Sequence, residues 1–307
     1  MSLELLILGS NSAAFAHRRH HTAQLFKLQD QQFLIDCGEG TQLLMKRNKV
    51  KLSRIDHIFI SHLHGDHYFG LIGLLSTMHL FGRKKELILI GPPGLKEIIQ
   101  LQLRHSETAL NFPIDFTEFK PGETSIVLDH PKYNVTALPM DHRVPCSGYL
   151  FKEKPKKRRI NRKMLPEVKL SNLDIVRLKD GEDILNEDGS VKYENKLLTM
   201  DPNPSFSYAF FSDTKLRPEL QKMIEGVDML YHEATFANDM KDRAEQTYHT
   251  TAEQAAQYAK EANVGKLILG HFSARYKELD PIINEAKAVF PNTELAIEGT
   301  KFVVDGK

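Results

Sequence analysis

Apolar residues recur along this chain in two kinds of spacing. Short apolar runs bounded by turn-forming residues read as strands, and apolar positions three and four apart read as helices. The runs place strands at 3–9, 23–28, 32–36, 57–60, 87–90, 114–119, 134–138, 148–151, 207–211, 229–232 and 266–269, with two short strands closing the chain. Helices are predicted at 38–47, 65–80, 92–105, 218–225, 251–263 and 281–290, the second carrying Leu71, Leu74, Leu75 and Met78 on one face. Thr250 and Glu253 read as the N-cap and N3 of a capping box opening the helix at 251.

Strands alternating with helices argue for an α/β fold. Meander-like strands near 20–36 and 114–151 argue for mixed rather than wholly parallel sheets. No short-period repeat is seen. Between 152 and 204 the apolar periodicity fades. That segment opens with KEKPKKRRINRK, eight Lys/Arg and one Glu in twelve residues, and closes with Asp201-Pro202-Asn203-Pro204. It reads either as a solvated loop or as an arm that grips phosphates.

Composition adds bounds. The 307 residues allow about two average domains or one layered α/β domain. With 41 Lys/Arg against 40 Asp/Glu the net charge is +1, so nucleic-acid binding would have to come from local patches. The two cysteines, Cys37 and Cys146, are too few and too far apart for a disulfide framework or a cysteine-built zinc site. They fit a reducing compartment, and a cytoplasmic location is expected. The apolar run 5–8 lacks the basic flank of a signal peptide, and no stretch approaches a membrane span of about 18 apolar residues.

The 14 histidines are not evenly placed. Residues 60–67 read Ile-Ser-His-Leu-His-Gly-Asp-His directly after a strand. His62 and His64, two apart, project the same way from extended chain. Gly65 lets the backbone turn and bring Asp66 and His67 from a second direction. Three imidazoles and a carboxylate at a strand-to-helix junction suit zinc, and their two directions suit two ions better than one. A polar loop of merely hydrogen-bonded histidines is the plainer alternative, and such a density argues against it.

This stretch is the H-x-H-x-D-H signature of the metallo-β-lactamase superfamily, which the chain resembles. Asp36, in Leu34-Ile35-Asp36-Cys37-Gly38, resembles the family's strand-end D-x-G. His142, Asp213 and His271 fall in order where the family places its next histidine ligand, its bridging aspartate and its last histidine. Within the superfamily the chain resembles the ribonuclease Z family, endonucleases that trim tRNA 3′ ends, over nearly all of residues 1–307. His232-Glu233-Ala234-Thr235 matches that family's HEAT motif, His249-Thr250-Thr251 its HST-like motif, and Phe272-Ser273-Ala274-Arg275-Tyr276 the stretch after the last ligand. There are three departures. Leu8-Gly9-Ser10-Asn11 stands for the usual L-G-T-G, and His17-Arg18-Arg19-His20-His21 replaces a more usual R-N pair. The region 152–206 lacks the Gly-Pro-rich tip of many relatives.

The resemblance implies a four-layer αββα sandwich with two mixed sheets, a single domain over 1–307 with an inserted, protruding basic arm at 152–206. It implies two zinc ions, one held by His62, His64, His142 and Asp213, the other by Asp66, His67, Asp213 and His271. Two such metals can clamp an in-line displacement at phosphorus. Asp66 would also take a proton from the attacking water. His249, oriented by Glu233, would protonate the leaving 3′ oxygen. Arg275, the Arg18-Arg19 pair and the arm's Lys156, Lys157, Arg158 and Arg159 would contact phosphates, alongside a patch of Lys46, Arg47, Lys49, Lys51 and Arg54. A surface salt bridge at Arg275 and a merely packed ring at His249 are the plainer alternatives. Cys37 is expected in the core, and Cys146 is expected to be structural.

The implied function is removal of the 3′ trailer from precursor tRNA, with cleavage after the discriminator nucleotide leaving a 3′-hydroxyl. A homodimer, in which one arm presents tRNA to the other subunit, is implied, and no membrane partner. Two other readings compete: the same site acting on small phosphodiesters, and a non-catalytic RNA-binding scaffold with structural metal. The arm disfavours the first, since a small substrate does not need it. The filled ligand positions disfavour the second.

Overall fold

The computed structural model describes residues 2–164 and 168–306. These divide into two compact units, one from Met1–Lys152 and Phe206–Asp305, the other built on Glu153–Ser205.

The larger unit is an α/β structure with two seven-stranded sheets. The first runs, in spatial order, Lys301–Asp305, Ser2–Gly9, Ala23–Leu28, Gln31–Ile35, Ile55–Phe59, Leu87–Gly91 and Ile114–Glu118. Its first four strands pair antiparallel and its last four parallel, so the sheet is mixed. The second runs Thr293–Leu295, Leu267–Gly270, Met229–Glu233, Ser207–Phe211, Ser147–Glu153, Tyr133–Pro139 and Ser125–His130. Its parallel block is formed by the first four of these strands.

Three apolar layers follow from the strand alternation. Between the sheets lies an aromatic layer including Phe26, Phe33, Phe59, Phe151, Tyr208, Phe210 and Tyr231, with Phe26 and Tyr208 stacked at 4.6 Å. Outside the first sheet, Leu44, Met45, Leu74, Leu75, Met78 and Ile99 from helices Thr41–Arg47, Leu71–Leu80 and Leu95–His105 cover Leu34, Ile58 and Leu89. Outside the second, helices Ala252–Glu261 and Asp280–Val289 pack Ala255, Ala256, Ala259 and Ala286 against Ala209, Leu230 and Leu269. The result is the four-layer αββα order.

The structure corrects several predicted elements. The helix at 65–80 is two, Gly65–Tyr68 and Leu71–Leu80. The break arises because Cys37 clamps the turn: its N–H donates to His67 O at 2.7 Å and its carbonyl accepts from Gly70 N–H at 2.9 Å. The capping box lies one residue later, with Thr251 as N-cap and Gln254 as N3. Thr250 is unavailable, since its hydroxyl donates to Thr214 O at 2.7 Å. The helices at 38–47 and 92–105 start late, at Thr41 and Leu95, each after a left-handed glycine. The helix at 218–225 is a 3-10 turn, Pro218–Met223. Strand Ser125–His130 and helix Lys241–Thr247 lacked a periodic signal.

The smaller unit is more ordered than its fading periodicity implied. A helix, Asn172–Asp180, opens with a Ser171/Asp174 capping box, and Leu178, Ile184 and Leu198 form a small core.

Candidate active site

The chemistry-bearing residues cluster where strands end. In the first sheet, Gln31–Ile35 delivers Asp36, and the parallel neighbour Ile55–Phe59 leads into Ser61, His62 and His64. In the second, parallel strands Ser207–Phe211, Met229–Glu233 and Leu267–Gly270 deliver Asp213, Glu233 and His271. Tyr133–Pro139 leads to His142. Carboxyl ends of parallel strands gather polar loops at one edge, where sites of this class form. Two of these residues carry left-handed backbone, Asp36 at φ 56° and His271 at φ 60°. Such conformations cost of order 1–3 kcal/mol and persist only where the surroundings impose them. Gly270 is one such constraint: a Cβ there would strike the Tyr231 ring.

The donors form two groups. His62, His64, His142 and Asp213 make one, and Asp66, His67 and His271 the other, each with ligand atoms within 4.8 Å of one another. Asp213 lies between them. Its Oδ2 is 3.7 Å from His62 Nε2 and 3.8 Å from His142 Nε2, while its Oδ1 is 3.4 Å from His67 Nε2 and 3.1 Å from His271 Nε2. Asp66 Oδ2 sits 3.5 Å from both His67 Nε2 and His271 Nε2. It also accepts from Ala13 N–H at 2.7 Å.

The electrostatics of this set call for a cation. Burial penalises charge on His67, yet Asp213, Asp66 and Asp36 outweigh it and hold the imidazole well above its ordinary range. Burial also opposes the charge of Asp66, and His67 with His271 overrides it, holding the carboxyl far below the usual range. Asp213 is likewise held low against its burial, by His271 and His67. Burial pushes His62 down, and His142 down to about 4, so these rings stay neutral and present lone pairs. Buried carboxylates among imidazoles, with His62 and His142 held neutral and positive charge drawn onto His67, match the donor chemistry of a divalent transition metal.

Behind the donors sits a layer that fixes ring orientation. His67 Nδ1–H donates to Asp36 Oδ2 at 2.7 Å, and Asp36 also accepts from Ser61 N–H at 2.7 Å. His142 Nδ1–H donates to Tyr248 O at 3.2 Å. His62 Nδ1 meets Ser61 Oγ at 3.0 Å and Cys146 Sγ at 3.6 Å. Cys146 is thus a packing partner of a donor ring, its thiol pushed well up by burial.

His249 belongs to neither group, although one of its ring nitrogens lies within 4.8 Å of ligand atoms of Asp213 and His271. Its Nδ1–H donates to Glu233 Oε1 at 2.8 Å. Burial opposes charge on this ring, but Glu233 prevails and holds it up to about 9. Glu233 is wholly buried and accepts further N–H bonds from Thr214, Thr235 and Thr250. Beside these groups opens a cavity of about 670 Å³ lined by His64, Asp66, Asp213, His249 and His271, with Arg143, Arg243 and Arg275 and the rings of Phe69 and Phe236. The three arginines have no ion-pair partner among the described residues.

A family model described as "Anti-Pycsar protein Apyc1" matches residues 3–144. A ribonuclease Z from Cytophaga hutchinsonii is 50% identical over 307 residues, covering 100% of this chain and 98% of that protein. The chain belongs to the ribonuclease Z family. A ribonuclease Z from Bacteroides fragilis is 46% identical over 295 residues, covering 96% of this chain and 97% of its own. Among solved structures, the short form of human tRNase Z aligns with TM-score 0.72 at 24% identity, covering 97% of this chain and 98% of that one. The metallo-beta-lactamase fold protein YhfI from Bacillus subtilis aligns with TM-score 0.68 at 19% identity, covering 99% and 100%. Both show the same fold.

For this ribonuclease Z relative, the structure brings all seven expected donors together and sets His249 on Glu233. Arg275 lines the cavity. Arg19 does not offer a free guanidinium: its Nε donates to Asn11 Oδ1 at 3.1 Å and its amino groups to the carbonyls of Lys277 and Tyr276. It clips the 11–20 loop to the segment after His271. Arg18 is exposed and outside the cavity lining. In the smaller unit the expected phosphate ligands are engaged internally. Lys156 pairs with Glu153 at 2.5 Å, Lys157 with Asp180 at 2.6 Å and Arg158 with Asp201 at 2.7 Å, and Arg159 donates to Asp201 O at 2.9 Å. Sequence reasoning missed Phe69, Arg143 and Arg243. Arg143 follows a donor directly, which was a usable signal. Phe69 sat in an apolar pattern that reads as core, yet it is 62% exposed.

Proposed function

We propose that this chain is a zinc-dependent endoribonuclease that removes the 3′ trailer of precursor tRNA, cutting after the discriminator nucleotide and leaving a 3′-hydroxyl. The reading extends to a homodimer working in the cytoplasm. Full-length relatedness to ribonuclease Z supports the reaction class, a metal-dependent hydrolase. The observation that carries the reading to this site is the split carboxylate of Asp213, one oxygen toward each donor group, beside an ion-paired His249.

His62, His64, His142 and Asp213 would hold one ion, and Asp66, His67, His271 and Asp213 the other. Bound there, two divalent ions supply Lewis acidity and offset the charge that builds on phosphate oxygens. The remaining work falls to the chain. Asp66 accepts a hydrogen bond from the attacking water and aims it at phosphorus. Because its carboxyl is held so low, it orients that water more than it stores its proton. Arg143, Arg243 and Arg275 ring the cavity and fit the phosphates of a strand passing through it. His249 has Nδ1 committed to Glu233, which leaves Nε2 to carry the proton to the leaving 3′ oxygen. No helix among the described residues is long and apolar enough to cross a membrane.

The test is cleavage of a 3′-extended precursor tRNA by zinc-loaded protein, with Asp66→Ala and chelator-treated protein alongside. A single cut at the discriminator, absent from both controls, is the expected result. Intact tRNA with hydrolysed bis(p-nitrophenyl) phosphate would move the substrate to small phosphodiesters.

A further inference from the structure

One hydroxyl sits at the crossing of the two functional groups. Thr235, only 3% exposed, places Oγ1 2.8 Å from Glu233 Oε2, 2.8 Å from His271 Nδ1 and 3.2 Å from His249 Nδ1. A hydroxyl carries one proton and two lone pairs. An ionised carboxylate only accepts, so the Thr235 proton points to Glu233. Its lone pairs are then left for ring N–H groups, and His271 Nδ1 is the nearer. That contact requires the proton of His271 on Nδ1. The tautomer is set, and Nε2, at 3.1 Å from Asp213 and 3.5 Å from Asp66, keeps its lone pair toward the donor group.

Glu233 therefore acts in two directions. Oε1 holds His249 directly. Oε2 reaches His271 through Thr235, whose backbone N–H also donates to that oxygen at 3.0 Å. His67 shows what the arrangement replaces, since its carboxylate partner Asp36 touches Nδ1 with nothing between. At His271 the threonine hydroxyl stands between the carboxylate and the ring, 2.8 Å from each. Carboxylates behind ligating histidines fix ring orientation and raise ligand basicity, and their loss costs about 10–100-fold in metal affinity.

We infer that Thr235 is a positioning residue that links Glu233 to His271, so that one buried carboxylate orients both the proton donor and a metal ligand. The inference rests on the metal reading above. It predicts a graded response to small changes at this one side chain. Thr235→Val keeps the shape and removes the hydroxyl. Thr235→Ser keeps the hydroxyl and removes a methyl.

The experiment is calorimetric titration of metal-free wild type and both variants with Zn²⁺, paired with imidazole ¹⁵N shifts of His271 in the metal-free state. Two zinc sites in wild type are expected. In Thr235→Val one of them weakens about 10–100-fold while the other holds, and His271 loses its fixed Nδ1–H tautomer. Thr235→Ser is expected to stay within a few-fold of wild type. Unchanged affinity for both ions in Thr235→Val, or Thr235→Ser as impaired as Thr235→Val, overturns the inference alone. A wild type that takes up no zinc overturns the metal reading together with it.

Discussion

The two donor groups share Asp213 yet are braced differently. Behind Asp66, His67 and His271 stand two buried carboxylates, Asp36 directly and Glu233 through Thr235. Behind His62 stand the Cys146 thiol and the Ser61 hydroxyl, which itself donates to Asp36 Oδ2 at 2.9 Å, and behind His142 stands only the Tyr248 carbonyl. A carboxylate behind an imidazole strengthens the ring as a donor, and a carbonyl does so less. The comparison teaches that equal ligand counts do not make equal sites. The group backed by two carboxylates, one of them directly on a ring, is expected to take up its ion first and release it last, with the His62 group exchanging more readily.

The harshest way to break this comparison is Asp213→Ala. Losing the shared carboxylate removes a donor from both groups, and metal clamping of a phosphoryl centre contributes several kcal/mol. At about 1.4 kcal/mol per tenfold, cleavage of precursor tRNA should fall by roughly a thousandfold or more. A mutant that cuts precursor tRNA within about tenfold of wild type would show that the shared carboxylate is not needed.

His249→Ala comes next. General-acid loss costs about 10²–10⁴ in rate. Both ions should remain, which metal analysis of the purified variant checks. A lost ion would make His249 a ligand, as its place near Asp213 and His271 allows.

Asp36→Asn tests the bracing itself. Zinc affinity of the Asp66 group, where Asp36 holds His67 directly, should fall about 10–100-fold, and that of the His62 group, reached only through Ser61, should fall less. Equal weakening of both would erase the asymmetry.

The smallest effect concerns protons. In the metal-free protein His249 should titrate near 9, followed by its imidazole NMR shifts. The ring is charged below that pH and neutral above it. Because the folded value is raised, its pairing with Glu233 stabilises the fold fully below about 6.5, and that contribution disappears as pH rises through about 9. In Glu233→Gln the main opposition to burial is removed and only Asp213 still favours the charge, so the ring should titrate well below 9 with most of the pH-dependent stabilisation gone.

Legibility from sequence followed the distance over which each signal acts. The His62–His67 stretch was readable from local chemistry, since four donors lie within six residues. His142, Asp213 and His271 were not readable singly. A lone polar residue at a strand end has many uses, and only their order within a resemblance marked them. The α/β class and the mixed sheets were visible because buried strands are short and apolar, whereas the layer order came only with the resemblance. Helix limits were less so: Cys37 breaks a helix more than thirty positions away through backbone bonds that no periodicity records. The engagement of Arg19 with distant carbonyls was invisible for the same reason.

The donors arrive from both sheets, with Asp36 and the His62–His67 stretch on one and His142, Asp213 and His271 on the other. No half of the chain can assemble this constellation by itself. An ion bound there fastens one sheet to the other like a rivet, and it has no equivalent foothold in the unfolded chain. At a thousandfold excess over its dissociation constant, each such ion adds about 4 kcal/mol to folding. Metal supply thus sets the melting temperature and protease lifetime of the protein as well as its readiness to cut. Starvation for the ion would thin its population before any question of turnover arose.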